Sequence, residues 1–217
     1  TSDPPVLTCE HPMGTMGYTD EGSGPPIVLV HGLPGSHRDW RYLAPCLSDY
    51  RVVRLDMPGF GASLSCGQAP SFTQRAQFIL DAVDALELTR PLVLGHSMGG
   101  PVVAMAANQS PERFSAIGLV ASPGLRRHRR APDGSAVLVA WLVGFPPASW
   151  ALKGPLARVY KDAGFPSSLS HDARVAALRQ VAMYQPEVVA AAMRDLSLPT
   201  LLAYAEDDDL VEPEIGD

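Results

Sequence analysis

Residues 91–100 read Pro91-Leu92-Val93-Leu94-Gly95-His96-Ser97-Met98-Gly99-Gly100. The apolar run ending at Leu94 has the length of a buried strand and stops at a Gly-x-Ser-x-Gly pattern. The stretch that follows, Pro101-Val102-Val103-Ala104-Met105-Ala106-Ala107, suits the opening of a packed helix. A serine on so sharp a strand-to-helix turn needs small neighbours. Gly95 and Gly99 have no Cβ to collide with the reversing chain. A glycine-rich turn with an incidental serine would carry the same five letters, so the flanking segments decide.

Working outward, Ile27-Val28-Leu29-Val30 is a short buried strand followed by His31-Gly32-Leu33-Pro34-Gly35. Arg51-Val52-Val53-Arg54-Leu55 is another, followed by Asp56-Met57-Pro58-Gly59-Phe60-Gly61-Ala62-Ser63. Residues 6–20 read as an opening β-hairpin with turn signals at Gly14 and Gly17. Ser71-Phe72-Thr73-Gln74 has the form of a capping box, and the helix it starts places Phe72, Ala76, Ile79, Val83 and Leu86 on one face. Ala116-Ile117-Gly118-Leu119-Val120 is the next strand, and residues 198–205 are the last. Strands alternating with helices predict an α/β fold, a mostly parallel, doubly wound sheet with helices on both faces.

The order strand, His-Gly loop, strand, Asp-x-x-Gly-x-Gly loop, helix, strand, serine turn and helix resembles the α/β-hydrolase superfamily. The resemblance lies in the branch of small cap-bearing esterases, proline iminopeptidases, ring-cleavage hydrolases and epoxide hydrolases. It is dense over residues 27–123 and returns at 199–213. It implies a core of residues 1–123 and 197–217 and a helical cap of residues 124–196. Ser170-His171-Asp172 and Gln185-Pro186-Glu187 read as helix starts within that cap. Trp141, Phe145, Trp150, Tyr160, Phe165, Met183, Tyr184 and Met193 would supply an apolar ceiling, with Trp141 and Phe145 as expected substrate contacts. The alternative is that these side chains pack the cap's own core.

The resemblance also assigns chemistry. Ser97 is the expected nucleophile, which needs a base to take its proton. The oxyanion of an acyl-transfer intermediate would be received by the backbone N–H groups of Met98 and Leu33. His31, Gly32 and His96 line the expected site, and both histidines read as structural rather than as the base. The acid follows the last strand, in Ala205-Glu206-Asp207-Asp208-Asp209. Asp208 takes the triad position, with Asp207 as runner-up. A solvated acidic turn or a weak cation site is the other reading of these carboxylates.

The base is missing. The family order is Ser, then Asp or Glu, then His. The six histidines are His11, His31, His37, His96, His128 and His171, and none follows Asp208. Either the chain stops before its last strand and helix, or another base is recruited, or the protein is not a hydrolase as it stands. The abrupt Glu212-Pro213-Glu214-Ile215-Gly216-Asp217 end favours the first. His128 and His171 are the conceivable substitutes.

Composition narrows the partners. A chain of 217 residues has the length of one α/β domain, and 46% hydrophobic content is ordinary for a globule. A net charge of −6 gives no reason to expect nucleic acid or an anionic membrane as partner. The longest apolar stretch, residues 136–145, is too short to cross a bilayer, and no secretory signal is visible at Thr1-Ser2-Asp3-Pro4-Pro5. Cys9, Cys46 and Cys66 lack metal spacing and read as free thiols, so a reducing, cytoplasmic location is expected. The basic run Arg126-Arg127-His128-Arg129-Arg130 reads as a solvated loop, or as a receiver of an anionic group. No metal or cofactor is called for.

Two function classes result. One is a serine hydrolase forming a covalent acyl-enzyme on a small apolar ester or related acyl substrate, impaired by the absent histidine. The other is a non-catalytic relative that uses the pocket for binding. A cofactor-free, haloperoxidase-like activity would use the same triad. Epoxide hydrolysis and dehalogenation are disfavoured, since those relatives carry an aspartate where this chain has Ser97.

Overall fold

A computed structural model describes residues 3–63, 70–123, 142, 146–162, 165, 167, 169–182, 185–206 and 208. Among these residues the strands form one seven-stranded sheet in the order β1-β2-β4-β3-β5-β6-β7. They are β1 (Leu7–His11), β2 (Gly14–Glu21), β3 (Pro26–Val30), β4 (Arg51–Leu55), β5 (Leu92–His96), β6 (Ala116–Val120) and β7 (Thr200–Ala203). From β4 across to β7 all neighbours are parallel, with Val28 beside both Val53 and Val93. The opening hairpin is antiparallel, and β2 joins it to β4. The expected α/β sheet is therefore present.

The strand residues explain the layering. Val28, Leu29, Val30, Val53 and Val93 are completely buried. Central parallel strands covered on both faces read as unbroken apolar runs, because both sets of alternating side chains lose water. Helix α1 (Phe72–Ala85) begins at the expected box: Ser71 Oγ accepts the Gln74 N–H, and Gln74 Oε1 accepts the Ser71 N–H. Its Phe72, Ala76, Ile79 and Val83 are buried as the periodicity requires, and Leu86 caps its C-terminus half-buried. Helix α2 (Gly99–Gln109) packs against α1 and against β5.

Gly17 corrects one expectation. It lies inside β2, and the hairpin turns at Pro12-Met13. Its small size serves a close approach: a Cβ there would sit 2.6 Å from Ala62 Cβ, in the loop after β4. The final strand is also shorter than residues 198–205, and its Leu201 and Leu202 are exposed.

The chain divides into two compact units, residues 1–128 with 185–217, and residues 129–184. Helix α3 (Pro146–Ala151), α4 (Lys153–Asp162) and α5 (His171–Ala182) belong to the second. Leu156 and Val175 are buried there, with Leu152, Tyr160 and Leu178 packed around them. Ser170 starts α5 as expected, its Oγ accepting the Ala173 N–H at 3.1 Å. Helix α6 (Pro186–Arg194), expected within the insertion, is part of the first unit. It packs on α2, where Asn108 Nδ2 donates to the Ala192 carbonyl at 2.8 Å, and its Val189 and Met193 are buried. In the second unit Trp150 is exposed and Phe165 tilts against Tyr160. Trp141, Phe145, Met183, Tyr184, Asp207, Cys66, the 126–130 basic run and residues 209–217 lie outside the described residues.

Candidate active site

Strand β5 delivers Ser97 to the turn with φ of 50°, a left-handed value uncommon outside glycine. Two backbone bonds hold it there. The Ser97 N–H donates to the Val120 carbonyl at 2.8 Å, and the Gly100 N–H donates to the Ser97 carbonyl at 3.0 Å. The glycines around it are forced by contact. A Cβ on Gly95 would lie 2.6 Å from the Gly99 carbonyl oxygen, and one on Gly99 would lie 2.7 Å from that of His31. Gly100 lies against the Ser122 side chain. Met98 precedes the first residue of α2, so its N–H has no partner within the helix.

The His31 loop lies directly against the serine. A Cβ on Gly32 would sit 2.9 Å from Ser97 Cβ and 3.1 Å from His96 Nδ1. His31 itself is buried, and both ring nitrogens are engaged. Nε2 accepts the Met57 N–H at 2.9 Å, so the ring proton resides on Nδ1, which donates to the Gly32 carbonyl at 2.6 Å. Burial pushes its pKa down to about 4 despite the Gly32 bond and the nearby Asp56 charge. A neutral imidazole with no free nitrogen shapes the loop and cannot take a proton from Ser97.

His96 is half-buried, with the Trp40 ring edge-on at 6.2 Å. Burial holds its pKa below the ordinary value, and the Asp208 carboxylate partly opposes this. The Asp208 carboxylate thus lies within Coulombic range of the His96 ring. Asp208 sits on a turn in which its N–H donates to the Ala205 carbonyl at 3.3 Å. The turn is anchored from β7. Tyr204 Oη donates to the Ser122 carbonyl at 3.1 Å, and Ser122 Oγ donates to the Gly95 carbonyl at 3.3 Å. Ser122 and Tyr204 thus link the Asp208 turn to the Ser97 turn. Sequence reasoning missed both, since only the fold brings residues 82 positions apart together.

Two carboxylates nearby have different standing. Asp56 is fully buried and accepts the His37 N–H at 2.6 Å, the His37 ring Nδ1 at 2.9 Å and the Ala62 N–H at 2.8 Å. Burial pushes its pKa up, but these bonds outweigh that and hold it below the usual carboxylate range. Its oxygens are used, which suits a structural loop. Asp39, which no motif marked, packs its carboxyl against Gly35 although the residue as a whole is exposed. Burial of the carboxyl pushes its pKa up to about 6. A Cβ at Gly35 would also lie 2.9 Å from His31 Nδ1, so Asp39 borders the same loop.

A groove of about 760 Å³ lies elsewhere in this unit, between Asp3, Arg38, Tyr42, Tyr50 and Arg54. Its buried Arg54 is satisfied by Thr19, Asp3 and Glu21. Among the described residues no group of three His, Cys, Asp or Glu could hold a metal, and no helix is long and apolar enough to cross a membrane.

Residues 25–147 match the family model described as the alpha/beta hydrolase fold. The chain belongs to that family. It is 34% identical over 142 residues to the dihydrolipoyllysine-residue acetyltransferase component of an acetoin cleaving system from Pseudomonas putida, covering 64% of this chain and 36% of that protein. It is 31% identical over 110 residues to bifunctional epoxide hydrolase 2 of Sus scrofa, covering 49% of this chain and 20% of that protein. The chain therefore spans well under half the length of these relatives. An alpha/beta hydrolase fold protein from Burkholderia ambifaria superposes with a TM-score of 0.78 at 23% identity, over 99% of this chain and 86% of that one.

Proposed function

We propose that this chain is a serine hydrolase of small apolar esters or related acyl compounds, with Ser97 as nucleophile. The observation that carries the reading is Ser97 at φ 50° with the Gly32 backbone packed against its Cβ. A serine so presented attacks the acyl carbonyl through Oγ. The N–H groups of Met98 and Leu33 receive the oxyanion, the leaving group departs with a proton, and water then releases the acyl group from Ser97. Asp208 is the acid that would orient an imidazole between itself and the serine. Trp141 and Phe145 remain the proposed apolar contacts for the acyl chain, and the helical insertion expected over residues 124–196 the proposed cover. The relatives' names span different chemistries, so none of their substrates is carried over. The aspartate expected of an epoxide hydrolase is Ser97 here.

No histidine of this chain follows Asp208. His31 is committed to Met57 and Gly32. Without a base the hydroxyl stays protonated. Loss of the triad histidine costs up to about 10⁶ in turnover, leaving roughly 10³ to 10⁴ over water from the oxyanion donors and binding. The second reading is a binding protein that keeps the pocket.

The purified chain and its Ser97→Ala variant are compared on a short activated ester, with and without added imidazole. The expected result is near-background turnover that imidazole raises only when Ser97 is present. Fast turnover without imidazole, abolished by Ser97→Ala, would overturn the impairment, and His128→Ala and His171→Ala would then locate the base. Absence of rescue together with no labelling of Ser97 by a phosphonate favours the binding protein.

A further inference from the structure

We propose that the helical unit of residues 129–184 carries an oxyanion site at the N-terminus of α5, centred on Arg174. Arg174 is only 7% exposed. Its Nη2 donates to the Ser167 carbonyl at 3.2 Å, while its Nε is sealed from solvent and has no partner. None of the ion pairs among the described residues involves it. A buried guanidinium without a counter-charge is costly, and its planar donors suit the paired oxygens of a carboxylate or phosphate.

The surroundings set where an anion would sit. Helical side chains lean toward the N-terminus, and the bond to Ser167 draws this guanidinium over the start of α5. There a twelve-residue helix presents the N–H groups of His171 and Asp172 and the positive end of its dipole, the Ala173 N–H being taken by Ser170 Oγ. His171 lies one turn before Arg174 on the same face. Its Nε2 shares a hydrogen bond with Ser149 Oγ at 2.8 Å, and its Nδ1 is buried without a partner. When the Ser149 hydroxyl donates to Nε2, Nδ1 carries a proton that an anion can accept.

Among the described residues, neighbouring groups do not supply the missing negative charge. The Tyr160 hydroxyl donates to the Arg174 carbonyl at 3.0 Å, and burial pushes its pKa up to about 12, so it stays neutral. Asp172, in the first turn of α5, is exposed and not paired with Arg174. Ser167 is itself exposed, so displacing its carbonyl opens the guanidinium to solution.

The test titrates inorganic phosphate, and separately acetate, into the whole chain and into its Arg174→Met variant. The Arg174 Nε–H resonance and the Tm are followed. A saturable resonance shift is expected in the native chain with one or both anions. The Tm should rise by about 5 to 10 °C near 100 times the half-saturating concentration. Saturation by one anion alone identifies phosphate or carboxylate as the ligand group. Arg174→Met should be at least as stable as the native chain in anion-free buffer, and its Tm should not respond. His171→Ala should weaken saturation roughly tenfold. A linear, unsaturable shift with both anions overturns the site. So does an equal Tm rise in Arg174→Met, or a less stable Arg174→Met without anion, which would make the guanidinium a structural tie to Ser167.

Discussion

At the scale of single residues, the turn carrying Ser97 is held by what its neighbours lack. The Cβ added by Gly99→Ala would meet the backbone carbonyls of Val30 and His31 at 2.8 and 2.7 Å, and backbone cannot swing aside as a side chain can. The substitution is expected to cost about 1–3 kcal/mol, read as a lower urea midpoint with an unchanged slope. His31 makes the protein acid-sensitive. Its folded pKa of about 4 lies below the free value of about 6.5, so the unfolded chain binds the extra proton between those pH values. Stability contributed by neutral His31 is complete above pH ~6.5 and falls by up to about 3 kcal/mol as pH drops toward 4. Asp56 adds a second loss at lower pH, as acidification passes through its depressed folded pKa. The Asp39 carboxyl, raised to about 6 in the folded chain, takes up a proton in the same window and opposes this loss. Urea midpoints are therefore measured in Asp39→Asn, where they should be flat from pH 8 and then decline below about pH 6.5. A flat profile throughout would contradict the burial of neutral His31. The glycines of this turn were legible in the sequence because steric exclusion is a local rule. The tautomer of His31 was not, because Met57 reaches it only through the fold.

At the scale of elements, legibility followed the range of the forces. The capping box of α1 involves residues three apart, and Ser71 and Gln74 exchange both expected bonds. Ser71→Ala should lower stability by about 1 kcal/mol, with restoration by Asp or Asn at the same position. Thermal unfolding of the three variants beside the native chain checks this. The strands around Val28, Val53 and Leu94 were legible because two-sided burial demands continuous apolar residues. Gly17 was misread, since its partner Ala62 comes from a distant loop and a glycine's default signal is a turn. Helix α6 began at the expected Pro186, but the helix alone does not say what its apolar face covers. Val189 and Met193 became core because α2 is there to meet them. The order of the seven strands was likewise beyond a single sequence, since pairing is a property of the assembled sheet.

At the scale of the whole molecule, the helical unit is spliced into the chain between β6 and α6. Ser97 lies before that unit and Asp208 after it, so the proposed nucleophile and acid reach each other only through the folded sheet. A protease cut in the segment between α4 and α5 would therefore yield a split protein. One polypeptide would keep β1 to β6 and Ser97, and the other would keep α6, β7 and Asp208. The β6–β7 ladder, the packing of α6 on α2 and the Tyr204–Ser122 bond would hold the halves without a covalent link. The halves should separate on a denaturing gel yet elute together in gel filtration. Each expressed alone should be incompletely folded, and mixing them should regain the compact species by fragment complementation.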